Sequence, residues 1–131
     1  MFKYMLDTDT VSYALRREGN VASRILGYSP SQLCISAITL AEMRIGAHRR
    51  KSRKLHAAVD VFVSKVSVAP FDDKAANNFG IVGASLLTQG KPIGHFDTMI
   101  ASHALSLGLI LVTNNTRHYS CVSGLCLENW L

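Results

Sequence analysis

The chain has 131 residues, 48% of them hydrophobic, and a net charge of +5, which together favour one domain with a single apolar core over residues 1–131. Lys3, Asp7 and Asp9 interrupt the first apolar stretch and later apolar runs are short, which excludes an export signal and a membrane span and favours a cytoplasmic protein. The three cysteines are odd in number and lack CxxC spacing, which argues against a disulfide framework and a zinc site.

The first half of the chain alternates short strand-like runs with helical patterns. Residues 3–6 predict a strand, and the polar residues 7–10 after it can cap a helix that continues to Arg16. Residues 32–35 predict a second strand. A helix is expected next, because Ile38, Ala41 and Ile45 recur at helical spacing.

The second half repeats this alternation. Residues 55–64 predict a helix and residues 66–69 a third strand, and a helix opened by Asp72 and Asp73 is expected to close near Gly90. A helix over residues 97–107 is expected to stop at Gly108. The aliphatic residues 109–113 predict a fourth strand covered on both faces, and residues 125–130 an edge element.

Strands that alternate with helices are typical of parallel sheets with right-handed crossovers. The sequence therefore predicts the α/β class, as a three-layer α/β/α sandwich around a mainly parallel sheet. In such sheets the ligand site lies outside the carboxyl ends of the strands.

Polar residues follow the predicted strands at that edge of the sheet. Asp7 ends the first strand, Asn114 and Asn115 end the fourth, and Glu42 lies in the first turns of the helix after the second. Glu42 shares a helical stripe with Ile38 and Ile45, so it is expected on the apolar face, where a carboxylate requires a partner. Asp97 has apolar helical neighbours too.

Carboxylates that meet without basic neighbours repel one another by about 4 kcal/mol per pair at an effective dielectric of about 20. A divalent cation removes this repulsion. Oxygen donors from Asp, Glu and Asn suit Mg²⁺ or Mn²⁺, which would activate water and stabilise charge on a phosphodiester.

The basic residues are concentrated in one run. Such a run attracts a polyanion through phosphate contacts, although a solvated helix face shows the same pattern. Its members are Arg49, Arg50, Lys51, Arg53 and Lys54. Beside the acidic residues, this charge favours an RNA- or DNA-cleaving enzyme.

Each acidic residue also has a structural interpretation. Asp7 and Asp97 stand at expected helix starts, where capping is common, and Glu42 could pair with a cation. Asn114 and Asn115 could form a turn. His95 and His103 are expected to be surface or packing residues.

Four ordered segments resemble the VapC toxins of the PIN-domain family. The segments are 5–8 (MLDT), 34–42 (CISAITLAE), 93–104 (IGHFDTMIASHA) and 112–117 (VTNNTR), followed by Gly124-Leu125 and 128–130 (ENW). The resemblance extends over nearly the whole chain.

This resemblance implies that Asp7, Glu42 and Asp97 bind Mg²⁺ or Mn²⁺, and that Thr113 and Asn115 assist by orienting water or metal. It implies hydrolysis of RNA, frequently tRNA, by in-line attack of water with the 3′ oxygen leaving. It also implies a VapB antitoxin and a homodimer. Asp9 stands where relatives commonly have Asn, and its extra charge is expected to affect metal binding or its pH dependence.

Two other functions remain open. Asp7 and Asp9 fit the DxDxT opening of haloacid dehalogenase-like phosphatases, although Glu42 and Asp97 then go unexplained. The second is a non-catalytic PIN-like module that binds RNA or the antitoxin without turnover.

Overall fold

Five short strands form one parallel sheet in the computed structural model, which describes all of residues 1–131. The strands are β1 (Tyr4–Leu6), β2 (Leu33–Ser36), β3 (Ser67–Ala69), β4 (Ile110–Val112) and β5 (Leu127–Glu128). Their order is β3-β2-β1-β4-β5, and every adjacent pair is parallel. The predicted sheet, with an interior β4 and an edge β5, is confirmed.

Seven helices connect and cover the strands. They are α1 (Thr8–Arg16), α2 (Val21–Leu26), α3 (Ala37–Arg49), α4 (Arg53–Lys65), α5 (Asp73–Thr88), α6 (His95–Leu107) and α7 (Thr116–Tyr119), with a 3-10 turn at Pro30–Gln32. The predicted caps are present: the Asp72 carboxylate accepts a hydrogen bond from the Ala75 amide, and Gly108 ends α6 with a φ of 66°. The sequence predicted neither α2 nor α7.

Side chains alternate between the two faces of the sheet and so build two apolar layers. Met5 and Leu111 pack toward α5 and α6, whereas Leu6, Ile35 and Val112 pack toward α1, α3 and α4. Burial of one such side chain is worth about 1.5–3 kcal/mol. This packing confirms the predicted three-layer sandwich.

The connections place a crevice in the middle of the sheet. From β1 the chain builds β2 and β3 on one side, then returns to place β4 on the other side of β1. Strand order therefore reverses between β1 and β4, the point at which open parallel sheets bind ligands. Asp7 and Thr113 directly follow these two strands.

Helix α3 differs from expectation in the face that it buries. Its buried side chains are Thr39, Met43 and Ala47, while Ile45 is 46% exposed. The predicted apolar stripe through Ile38, Glu42 and Ile45 is therefore wrong, because the core contacts the adjacent stripe. Glu42 instead lies half-buried at the margin of that contact.

None of the helices combines the length and apolar character that a membrane crossing requires.

Candidate active site

Asp7 lies at the carboxyl end of β1, in the crevice beside β4. Its Oδ1 atom accepts a hydrogen bond from the Thr8 amide at 2.8 Å, which is the predicted capping contact, and its Oδ2 atom accepts one from the Thr113 hydroxyl at 2.9 Å. The residue is only 5% exposed. Burial, together with the charge of Asp9, raises the pKa of Asp7 to about 7.

Glu42 faces the same end of the sheet from the second turn of α3. Its Oε1 atom accepts a hydrogen bond from the Thr8 hydroxyl at 2.7 Å, and that hydroxyl also lies 3.2 Å from the hydroxyl of Thr39. Burial raises the pKa of Glu42, and the charge of Asp97 adds to the rise. The cation considered as a partner from the sequence is absent, because Glu42 makes no ion pair.

Asp97 lies in the first turn of α6, but it does not cap that helix. The N-cap position belongs to Gly94, and the Asp97 Oδ2 atom instead lies 2.8 Å from the Nε2 atom of His118 in α7. Both side chains are about one-third exposed. The short helix that follows β4, α7, therefore holds the Asp97 carboxylate.

The Tyr119 hydroxyl is the one buried side-chain polar atom of the chain that makes no hydrogen bond. The residue is 1% exposed, and burial and the nearby charges of Asp7 and Asp97 raise its pKa. Its ring packs edge-on against His118, with centroids 5.3 Å apart. An unpartnered donor thus lies beside two of the three predicted acidic residues.

The three predicted acidic residues are therefore electrostatic neighbours. The charge of Asp97 raises the pKa of both Asp7 and Glu42, and no Lys or Arg forms an ion pair with any of them. As they stand, no three His, Cys, Asp or Glu side chains converge tightly enough to hold an ion. A shared cation would have to draw the carboxylates together.

The donor chemistry fits a hard divalent cation. All three side chains offer carboxylate oxygens, and the free oxygens of Glu42 and Asp97 have no hydrogen-bond donor. A divalent charge would also remove the penalty that raises the pKa of Asp7.

The residues after β4 divide into one that touches Asp7 and one that does not. Thr113 is fully buried; its hydroxyl donates to Asp7 and accepts from the Asn115 amide at 3.0 Å. The Asn115 side chain is exposed and makes no hydrogen bond, although Asn115 precedes α7. The turn considered from the sequence is a bend at Asn114, and Asp9 fixes it by accepting a hydrogen bond from the Asn114 amide at 3.0 Å.

The basic run surrounds the junction of α3 and α4. Arg49 and Arg50 end α3, Lys51 has a φ of 50°, and Arg53 and Lys54 begin α4. All five side chains are exposed. Arg50 alone of the five also lines a cleft that begins at Glu42.

The site contains residues that the sequence did not indicate. Thr8, His118 and Tyr119 each lie beside a predicted acidic residue. Thr8 could have been found, because a hydroxyl next to a strand-end Asp sits at the same sheet edge. His118 and Tyr119 lie in a four-residue helix that shows no periodicity. His95 is exposed, and His103 is buried with its Nδ1 atom 2.8 Å from the Ser36 hydroxyl, as a packing residue.

Known proteins similar to this chain show which family it belongs to. Residues 4–121 match the family described as PIN domain. The chain is 40% identical over 131 residues to the tRNA(fMet)-specific endonuclease VapC of Shigella flexneri, covering 99% of each protein. The chain belongs to the PIN-domain family of VapC ribonucleases. It is also 39% identical over 132 residues to ribonuclease VapC2 of Haemophilus influenzae (strain ATCC 51907 / DSM 11121 / KW20 / Rd), covering 100% of each.

Solved structures of VapBC complexes are similar to this PIN domain along its whole length. The crystal structure of DNA-bound VapBC from Salmonella typhimurium matches with a TM-score of 0.92 and 38% identity, and covers 100% of each chain. The structure of VapBC2 from Rickettsia felis bound to a promoter DNA fragment matches with a TM-score of 0.89 and 32% identity, again covering 100% of each. PIN-domain ribonucleases are generally metal-dependent. The phosphatase alternative is not supported, since Asp9 serves the Asn114 turn and the family is a nuclease family.

Proposed function

We propose that this PIN domain is an endoribonuclease that acts as the toxin of a toxin–antitoxin pair and requires Mg²⁺ or Mn²⁺. One observation carries the proposal: the charge of Asp97 reaches both Asp7 and Glu42 in the crevice between β1 and β4, with no basic residue paired to any of the three. Burying the Asp7 carboxylate beside two further acidic residues is costly for folding unless a ligand offsets the charge.

In this proposal Asp7, Glu42 and Asp97 hold the cation. When bound, the ion supplies charge stabilisation for the phosphodiester and lowers the pKa of water. The chain's own residues then set the geometry. Thr113 holds the Asp7 Oδ2 atom, and Asn115, through its amide, holds the Thr113 hydroxyl.

Two further contacts support the same arrangement. Thr8 holds one oxygen of Glu42, and His118 holds one oxygen of Asp97, so that the second oxygen of each carboxylate stays free. Positioned donors of this kind orient ligating carboxylates. We propose that the exposed Asn115 side chain orients substrate or water.

The basic run is proposed to bind the RNA backbone. Arg53 and Lys54 support this role, because they occupy the first turn of α4, where the helix dipole disfavours cations. Arg53 and Lys54 therefore do not stabilise α4 through the helix dipole. A polyphosphate partner, in contrast, would be attracted to all five exposed cations of the basic run.

The partners follow from the relatives. The neighbouring structures are VapBC complexes, and one relative is named for tRNA(fMet), so we propose a VapB antitoxin as inhibitor and tRNA as substrate. We also propose that the chain works as a single PIN domain, in the cytoplasm and as a homodimer, which light scattering of the purified protein would test.

The direct test is cleavage of tRNA by protein freed of antitoxin, with Mn²⁺, Mg²⁺ or EDTA, followed by sequencing of the RNA ends. Wild-type protein should produce discrete ends only with a divalent ion. Asp7→Asn should abolish cleavage while folding and RNA binding persist. Asp60→Asn, an exposed acidic residue of α4, is the matched control and should cleave normally.

A non-catalytic module would give a different result. Wild-type protein would then bind tRNA, with or without Mn²⁺, but leave it intact. Full cleavage by Asp7→Asn would contradict the assignment of the site.

A further inference from the structure

A cleft of about 150 Å³ leads away from the acidic site along α3. One end contains Glu42 and Thr8, which are hydrogen-bonded to each other, and the other contains Arg16 of α1 and Arg50. The cleft therefore shares Glu42 and Thr8 with the candidate active site, and its lining includes two cations.

Helix α3 forms the floor of this cleft. Glu42, Gly46 and Arg50 follow one another at four-residue spacing on one face, so that the first and last Cα atoms lie about 12 Å apart. The Arg50 side chain lines the same cleft as Glu42. This face thus joins an acidic and a basic group across two helical turns.

Gly46 keeps the floor open between them. A glycine inside a helix costs about 0.5–1 kcal/mol relative to alanine. Packing does not require it here, since a Cβ atom at Gly46 would meet nothing within 4 Å. The missing side chain therefore leaves space in the cleft and has no structural purpose in the core.

The two cations are available for a ligand. Arg50 forms no ion pair. Arg16 donates to both carboxylate oxygens of Glu18, at 2.9 and 3.3 Å, and lies 5.2 Å from the centre of the Tyr13 ring. The Arg16 and Glu18 side chains are both about half exposed, so solvent screens this pair and a phosphate can compete for the guanidinium. Arg16 and Arg50 lie at helix C-termini, where any cation complements the helix dipole, so this position by itself does not indicate a ligand site. The indication is that both residues line the cleft that contains Glu42.

We infer that this cleft binds the RNA phosphate next to the one that is cleaved, through the guanidinium groups of Arg50 and Arg16. The inference rests on the proposed nuclease function. With the cleaved phosphate at the carboxylates, the strand must continue away from them, and this cleft leads from Glu42 to two planar donors that suit a phosphate. The apolar walls, formed by Leu15, Met43 and Leu55, would contact the intervening sugar and base.

The test uses a short RNA whose cut site has been mapped with wild-type protein, and replaces each phosphate beside the cut, in turn, with a neutral methylphosphonate. One of the two replacements should lower kcat/KM of wild-type protein about tenfold. Arg50→Ala should lower kcat/KM about tenfold on the unmodified RNA. On the RNA with the sensitive methylphosphonate it should lower kcat/KM little further, because the contact between Arg50 and that phosphate is already absent.

Two variants sharpen the comparison. Arg53→Ala removes an exposed cation outside the cleft. The fold-decrease in kcat/KM that it causes should therefore multiply with the fold-decrease caused by the methylphosphonate. Gly46→Leu should fill the cleft without disturbing the fold, and should weaken cleavage of long RNA as Arg50→Ala does. Arg16→Ala should behave like Arg50→Ala, and each arginine substitution should reduce the salt slope of RNA binding by about one.

The inference would be overturned if the decreases in kcat/KM caused by Arg50→Ala and by Arg16→Ala both multiplied with the decrease caused by the methylphosphonate. It would also be overturned if these variants bound RNA normally but bound an acidic antitoxin peptide weakly. If wild-type protein cleaves no RNA, the nuclease proposal fails separately. Fluorescence anisotropy with the same methylphosphonate RNAs would still decide whether the cleft binds a phosphate.

Discussion

The Nε2 atom of His118 lies 2.8 Å from the Oδ2 atom of Asp97, so that a residue of the short helix α7 holds a carboxylate of α6. The two residues are 21 positions apart in sequence and meet because α6 and α7 both begin at the same edge of the sheet. The contact fixes one oxygen of Asp97 and leaves the other free for a ligand.

His118 is therefore expected to act as a positioning residue. His118→Ala should weaken Mn²⁺ binding about tenfold, in the range typical of residues that orient metal ligands. His118→Gln, which can still donate to Asp97, should restore part of the affinity. Electron paramagnetic resonance of free Mn²⁺ measures both, and equal affinity in wild type and His118→Ala would contradict the role.

The Tyr119 hydroxyl should cost the free protein stability, because it is buried without a hydrogen bond. Tyr119→Phe should then leave the free energy of unfolding unchanged or raise it by about 1 kcal/mol in urea denaturation without metal. Tyr13→Phe, which alters a partly exposed hydroxyl, is the control. A loss of more than about 1 kcal/mol in Tyr119→Phe would mean that the hydroxyl has a partner.

Thr113 connects Asp7 to the turn after β4 through one hydroxyl. Thr113→Val keeps the shape but leaves the Asp7 Oδ2 atom without its donor and the Asn115 amide without an acceptor, which should cost about 1–3 kcal/mol of stability. The pKa of Asp7 should rise further, since the Thr113 hydrogen bond lowers it. Thr113→Ser should retain wild-type stability and cleavage to a large extent; equal losses in both variants would place the effect in packing instead.

The pKa of Asp7 predicts a pH dependence with a definite sign. Burial raises it to about 7, so between about pH 4 and pH 7 the folded protein holds a proton that the unfolded chain has released. Stability without metal should fall as pH rises through this window, by at most about 4 kcal/mol, and level off above it. Mn²⁺ affinity should rise over the same range as the carboxylate becomes ionised.

Asp9→Asn tests the cause of that shift. Because the charge of Asp9 helps to raise the pKa of Asp7, its removal should move the midpoint of Mn²⁺ binding to lower pH. Asp60→Asn should leave the midpoint unchanged. An unchanged midpoint in Asp9→Asn would show that the charge of Asp9 does not raise the pKa of Asp7.

The architecture was predictable from the sequence, because the alternation of strand and helix patterns specifies a parallel sheet covered by helices. Parallel strands end at one sheet edge, so Asp7, Asn114 and Asn115 were expected at the same edge, and the structure has them after β1 and β4. Glu42 lies at the expected end of the sheet but not on the face that α3 buries, because periodicity does not say which of two adjacent stripes the core contacts.

The rest of the site depends on contacts between distant segments. His118 and Tyr119 lie in a helix of four residues, too short for any pattern. Arg16 joins Arg50 only through the packing of α1 beside α3, which local sequence does not encode. The roles of Thr113 and Asn115 came from the resemblance to a family, and only the Thr113 side chain touches an acidic residue.

Titration of Mn²⁺ into wild-type protein and into Asp7→Asn, Glu42→Gln and Asp97→Asn, followed by electron paramagnetic resonance, tests the shared cation site most directly. Each of the three substitutions should weaken the same binding event at least tenfold, while Asp60→Asn binds as the wild type does. Wild-type affinity in any two of the three variants would mean that these carboxylates do not hold one ion together.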